Sequence, residues 1–203
     1  MKPRSASQTK RRRILALATE LFLEQGFSGA STAELQRRVG GSKTTIYTHF
    51  GDKAGLFTAV VDEMLVDSVS LLSSLDLAEL SVREALVKIA HQYLKVVLSQ
   101  RYIDFMRIVA AEVNRFPEIG KAFYERGPGL SYAKFQTLLE ERVANGELLI
   151  KDTSRATDLF FGTLLHRELM ARFYGVKKTP LRNVASVASA VADEFLERYG
   201  NAD

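Results

Sequence analysis

The chain has no cysteine, which removes a disulfide framework and every thiolate-based metal or nucleophilic site and agrees with a cytoplasmic location. It has only three histidines, and His49, His91 and His166 lack a metal-ligand spacing; no Glu-x-x-His pair is present for a carboxylate metal site. No metal and no cofactor is therefore expected. A nucleophile motif is also missing, and Gly40, Gly41, Ser42, Lys43 and Thr44 lack both the glycine spacing of a phosphate loop and the strand before it. An enzyme is correspondingly the weaker expectation. No apolar stretch approaches the ~18 residues needed to span a bilayer. The cations at 10–13 followed by an apolar run resemble a leader, but Thr19, Glu20 and Glu24 interrupt that run, while Ile14, Leu17, Ala18, Leu21 and Phe22 follow helical spacing. An amphipathic first helix is expected instead.

What is present is a chain of 203 residues, 46% hydrophobic, enough to bury a substantial core in one domain or two small ones. The net charge of +4 is unevenly spread: residues 1–60 hold 10 Lys or Arg against 4 Asp or Glu, and the remainder 18 against 20. The cation excess sits where it would attract a polyanion.

Within that basic stretch, residues 31–53 read as two short helices around a glycine turn. Ser31 and Glu34 have the spacing of a capping box, starting a helix that buries Leu35 and Val39. Either Gly40 or Gly41 can take the left-handed conformation that ends it, and Ser42 can cap the next helix. Ile46 and Phe50, four apart, would anchor that second helix and leave Lys43, Thr44, Thr45, Tyr47, Thr48 and His49 around its exposed sides. Its length of roughly 12 Å matches the ~12 Å width of a DNA major groove.

The rest is helix after helix, without alternating strand patterns. The first helix covers about 10–25; a long fourth helix, about 53–73, is capped by Asp52. Ser81 and Glu84 start a helix reaching about 98, and further helices cover about 101–115, 118–125, 130–144 and 153–174. A last helix opens at Thr179 and Pro180 and ends near Tyr199. The expected fold is all-α, with about nine or ten helices: a helix-turn-helix domain over 1–55, joined by the long helix to a helical domain over 56–203.

Residues 13–57 resemble the DNA-binding domain of TetR-family transcriptional regulators. The resemblance rests on Ile14, Ala18, Leu21, Phe22, Gly26, Phe27, Leu35, Gly40, Ser42, Thr45, Ile46, Tyr47, Phe50, Lys53, Leu56 and Phe57. Arg107, Glu112, Phe116, Pro117, Phe123, Gly127 and Pro128 fall in a stretch similar to the C-terminal region of the AefR-like branch. The chain departs from the pattern at Gln36, Gly41 and Thr44, where a small alanine, an apolar turn residue and a glycine are usual.

The resemblance implies base-edge contacts from Lys43, Thr44 and Thr45. It implies phosphate contacts from Thr32, Ser42, Tyr47, Thr48, His49 and Lys53, with Lys10, Arg11 and Arg12 as a basic arm. The chemistry agrees, since lysine donates to guanine and threonine offers a methyl to thymine, whereas phosphate contacts set orientation. Two base contacts at ~1–3 kcal/mol each fall short of the ~4–10 kcal/mol that separates specific from nonspecific binding, so two copies on a palindromic operator are expected. The expected self-complementary face comprises Leu159, Phe160, Thr163, Leu164, Ala185, Ala188, Val191, Ala192 and Phe195; ordinary intramolecular core is the other reading of the same periodicity. The resemblance also implies an effector pocket for a small, mostly apolar molecule, with Phe105, Met106, Val109, Glu112, Phe116, Phe123, Tyr132, Phe135, Phe161 and His166 as candidate walls. The expected function is a ligand-responsive, homodimeric repressor with no membrane partner. The alternatives are a sequence-independent architectural nucleic-acid binder and a helical enzyme acting on the bound ligand.

Overall fold

The structure is a computed structural model that describes residues 6–40, 43–74, 77, 79–176 and 183–201. The described residues form α1 (Ala6–Gly29), α2 (Thr32–Val39), α3 (Lys43–Phe50), α4 (Lys53–Ser74), α5 (Val82–Val97), α6 (Gln100–Glu112), α7 (Pro117–Arg126), α8 (Pro128–Ala144), α9 (Thr153–Phe173) and α10 (Val184–Tyr199). The all-α expectation holds. The sequence-expected start of the last helix, at Thr179 and Pro180, lies outside the described residues; α10 opens at Val184 behind Asn183.

The chain divides into two compact units, Met1–Val66 with Asp104–Arg126, and Asp67–Ile103 with Gly127–Asp203. This differs from the expected cut at 55/56, and aromatic packing is the reason. In the first unit Phe22, Phe27 and Phe57 form a triangle with centroids 5.9, 5.2 and 5.4 Å apart, and residues well down the chain complete it: Phe105 lies 5.8 Å from Phe57, and Phe116 meets Phe27 edge-on at 4.8 Å. Each such pair adds ~0.5–1.5 kcal/mol beyond the area it buries. Arg126 of α7 pairs with Asp62 of α4 at 2.6 Å within the same unit.

In the second unit α10 packs on α5 and α9 around Leu86, Ile89, Leu94, Phe135, Phe160, Phe161, Ala188 and Phe195. Phe135 stacks on Phe160 at 4.5 Å, and Phe195 closes on Phe160 edge-on at 5.5 Å. Arg142 is the buried cation of this core. It donates to the Glu147 carboxylate at 2.7 Å and to the carbonyls of Leu80, at 3.0 Å, and Leu77, so it fixes the approach to α5. At the start of α5, Ser81 and Glu84 form a complete capping box.

Candidate nucleic-acid interface

The candidate interface is built on α1 to α4. At Gly26 the backbone leaves helical geometry (φ 71°, ψ −179°), ending the first helical stretch of α1 where the sequence places its end. Ser31 then caps α2 by accepting the Glu34 backbone N–H at 3.0 Å. The second half of the expected box is replaced by an ion-pair network. The Glu34 carboxylate turns to Arg37 and to Arg38, the latter at 3.0 Å, and Arg38 also grips Glu24 of α1 at 2.7 Å. These arginines hold Glu24 and Glu34 below the usual glutamate range, chiefly by hydrogen bonds from Arg38. Glu34 and Arg38 are a legible i,i+4 pair, whereas Glu24 carries no local signal that it would join them.

Gly40 ends α2 in the left-handed conformation (φ 73°, ψ 39°), with its N–H bonded to the Gln36 carbonyl. In α3, Ile46 and Phe50 are buried and anchor the helix as expected. The helical register puts positions 44, 45 and 48 on the side away from that buried pair and 47 on the flank, whereas 43, three residues before Ile46 and seven before Phe50, falls on the pair's own side at the start of the helix. Thr48 is exposed, and His49 is half-buried with its ring 6.0 Å from that of Phe50. Ser42 and the side chains of Lys43, Thr44, Thr45 and Tyr47 lie outside the described residues. Lys10, Arg11 and Arg12 are exposed on α1, and the Arg11 guanidinium lies 5.4 Å over the Phe50 ring, bringing one basic side chain to the end of α3. Thr32 is half-buried at the start of α2.

Lys53 opens α4 behind the Asp52 cap, whose carboxylate accepts the Gly55 N–H at 2.7 Å. Its Nζ donates to the Ser28 carbonyl at 3.0 Å and sits 4.8 Å from the Phe27 ring centre. Partial burial lowers its pKa from the ordinary lysine value, a shift opposed by the charge of Glu112.

The candidate effector residues are divided between the two units. Phe105 is fully buried against Phe57, Phe116 lies against Phe27, Phe123 is buried, and Met106 and Val109 are half-buried, all in the first unit. Glu112, expected in a pocket wall, instead bonds Ser28 through both its oxygens because Phe116 and Phe27 draw the end of α6 to that turn. In the second unit Tyr132 stacks on Phe161 at 4.7 Å and Phe135 is fully buried, while His166 is exposed on α9. Of the expected dimer face, Phe160, Leu164, Ala188, Val191, Ala192 and Phe195 are buried inside their own unit, and only Leu159, Thr163 and Ala185 are exposed. The periodicity that suggested an interface is mostly that of the unit's own core. Beside Leu159 and Thr163 lies a surface groove of about 210 Å³, bordered by Val191, Glu194, Arg198 and Tyr199. Among the described residues, no helix is long and apolar enough to cross a membrane.

An all-α chain with a capped helix, a left-handed glycine turn and a second short helix, flanked by exposed cations, defines a helix-turn-helix DNA-binding protein. Comparisons with known proteins give the family. Residues 14–60 match bacterial regulatory proteins of the tetR family, and residues 84–201 match the AefR-like transcriptional repressor C-terminal domain. The chain belongs to the TetR family of transcriptional repressors, in the branch with an AefR-like C-terminal domain. It is similar to a helix-turn-helix transcriptional repressor of Mycobacterium tuberculosis, 26% identical over 67% of this chain and 68% of that protein. A TetR-family regulator of Mesorhizobium loti superposes with a TM-score of 0.82 at 28% identity, covering 98% of this chain and 100% of that one. The flavonoid-responsive regulator FrrA superposes with a TM-score of 0.77, also at 28% identity, covering 97% and 100%.

Proposed function

We propose that this repressor acts as a homodimer on a palindromic operator and is released from it by a small, mostly apolar effector. The observation that carries the DNA half is the α2–α3 pair: a reader helix fixed from behind by Ile46 and Phe50, beside the exposed cations of α1. In this reading Lys43, Thr44 and Thr45 meet base edges. Thr32, Ser42, Tyr47, Thr48, His49, Lys53 and the basic residues Lys10, Arg11 and Arg12 meet phosphates. The energetic shortfall of one short helix supports a dimer. The groove beside Leu159 and Thr163 on α9, with Glu194 and Arg198 on its rim, offers the exposed face for it.

For the effector, the aromatic interior of the second unit is the support: Tyr93 and Tyr132 both lie against Phe161, at 4.5 and 4.7 Å. Tyr102 is buried nearby in sequence on α6, its phenol pushed up in pKa by burial. Such walls suit an aromatic, weakly polar molecule, and the flavonoid response in the name of FrrA points the same way. Effector and operator are coupled in this mechanism, typically by ~1–3 kcal/mol, and the coupling is reciprocal.

Selecting fragments of the native genome with the full chain tests the first half. A shared palindrome is the expected result, and replacing Lys43 and Thr44 with alanine should flatten the preference for it. Retention of full discrimination by that variant removes the base-reading assignment. Titrating a flavonoid that releases the operator, with and without the duplex, tests the second half; equal affinities would exclude the coupling.

A further inference from the structure

Ser28 is held from two sides in the first unit. Its backbone N–H donates to Glu112 Oε1 at 2.8 Å and its hydroxyl to Oε2 at 2.6 Å, across 84 positions of sequence. Its carbonyl in turn accepts Lys53 Nζ at 3.0 Å. The end of α6 is thus joined to the first residue of α4 through a single serine in the last turn of α1, beyond the break at Gly26. Phe116 strengthens the connection by packing on Phe27, the ring over which Lys53 lies. A lysine has four rotatable side-chain bonds, so its ammonium stays in one place only if its partner does.

We propose that Glu112 is a positioning residue for DNA binding: by fixing the Ser28 turn it holds the Lys53 ammonium where a phosphate oxygen meets it. This rests on the reading of Lys53 as a phosphate contact. It also gives the AefR-like stretch around Glu112 and Phe116 a task outside the effector pocket, because a shift of α6 would reach the phosphate contact through Ser28.

Two effects of removing Glu112 oppose each other. Losing its oxygens frees the turn, while losing its charge reduces repulsion of the duplex. Glu112→Gln removes the charge but keeps a carbonyl acceptor; Glu112→Ala removes both. Positioning therefore predicts that Glu112→Gln binds DNA at least as tightly as the unaltered chain, and that Glu112→Ala binds more weakly.

The test uses the full chain, the duplex it selects from a random-sequence pool, and a mixed-sequence duplex of equal length, with affinities measured between about 50 and 200 mM salt. Lys53→Ala is expected to weaken binding on the order of tenfold and to reduce the salt slope by about one per protomer. Glu112→Ala should lose the same slope, the double variant should be no worse than Lys53→Ala, and Glu112→Gln should keep the original slope. A brace that only stabilises the fold would lower the melting temperature without changing the slope. An unchanged slope in Glu112→Ala beside a reduced one in Lys53→Ala, or fully additive losses in the double variant, overturns the proposal. An unchanged slope in Lys53→Ala removes the phosphate assignment and the proposal together. If Glu112→Ala fails to fold, Ser28→Ala, which keeps the peptide N–H donor, should show a smaller loss in the same direction, and none at all would overturn it.

Discussion

A Cβ at position 55 would lie 2.1 Å from the Phe50 carbonyl oxygen, so only glycine lets the first turn of α4 pass this close to the end of α3. Gly55→Ala should cost about 1–3 kcal/mol, the range of core overpacking, and melting at a temperature lower by about 2–4 °C per kcal/mol would register it. Arg142 is buried, so its truncation is felt by its partners: Arg142→Ala takes the ion-pair partner from Glu147, which keeps only the Asn145 amide, and the donor from the Leu80 carbonyl. The expected loss is about 1–3 kcal/mol, read from the urea midpoint. The depressed carboxylates set the pH dependence. Glu112, bonded by Ser28, and Glu24 and Glu34, bonded by Arg38, have folded pKa values below their ordinary 4.5. Their stabilisation is therefore present above that value and lost as pH falls through the depressed ones. The urea midpoint should hold from pH 7 to about 5 and fall below it, and a midpoint that rises on acidification would contradict this sign. Caps and glycine stops were legible at this scale because their partners are within four residues. The bond from Ser28 to Glu112 is not legible, because nothing local marks a contact spanning 84 positions.

Among the elements, the bounds of α2 and α3 follow from short-range chemistry: the Ser31 cap, the left-handed Gly40 and the Ile46–Phe50 anchor. α9 and α10 are a different case. Their apolar spacing is real, but a stripe facing the unit's own core and a stripe facing a second copy have the same period, and the structure assigns most of it to the core. The exposed remainder is where dimerisation can be attacked without emptying the core. Leu159→Glu should shift the sedimentation of the chain toward the monomer while its helical circular dichroism is retained. The same dimer mass as the unaltered chain would place the interface elsewhere.

For the whole molecule, a division expected from the linear pattern gives way to one set by aromatic contacts, with residues 104–126 belonging to the reader's own unit. Long-range packing of Phe105 and Phe116 is invisible to periodicity, which records that a face is apolar but not what it meets. The consequence for regulation is that α7 and α6 from Asp104 onward group with the reader's own unit. In the proposed function this unit reads sequence as one of a pair. Its most direct measurement is competition binding by the full chain, with stoichiometry, between its selected palindrome and a scrambled duplex of the same composition at physiological salt. Two chains per palindrome and a preference of about 10³ or more are expected; equal affinity for both duplexes would overturn the proposed function.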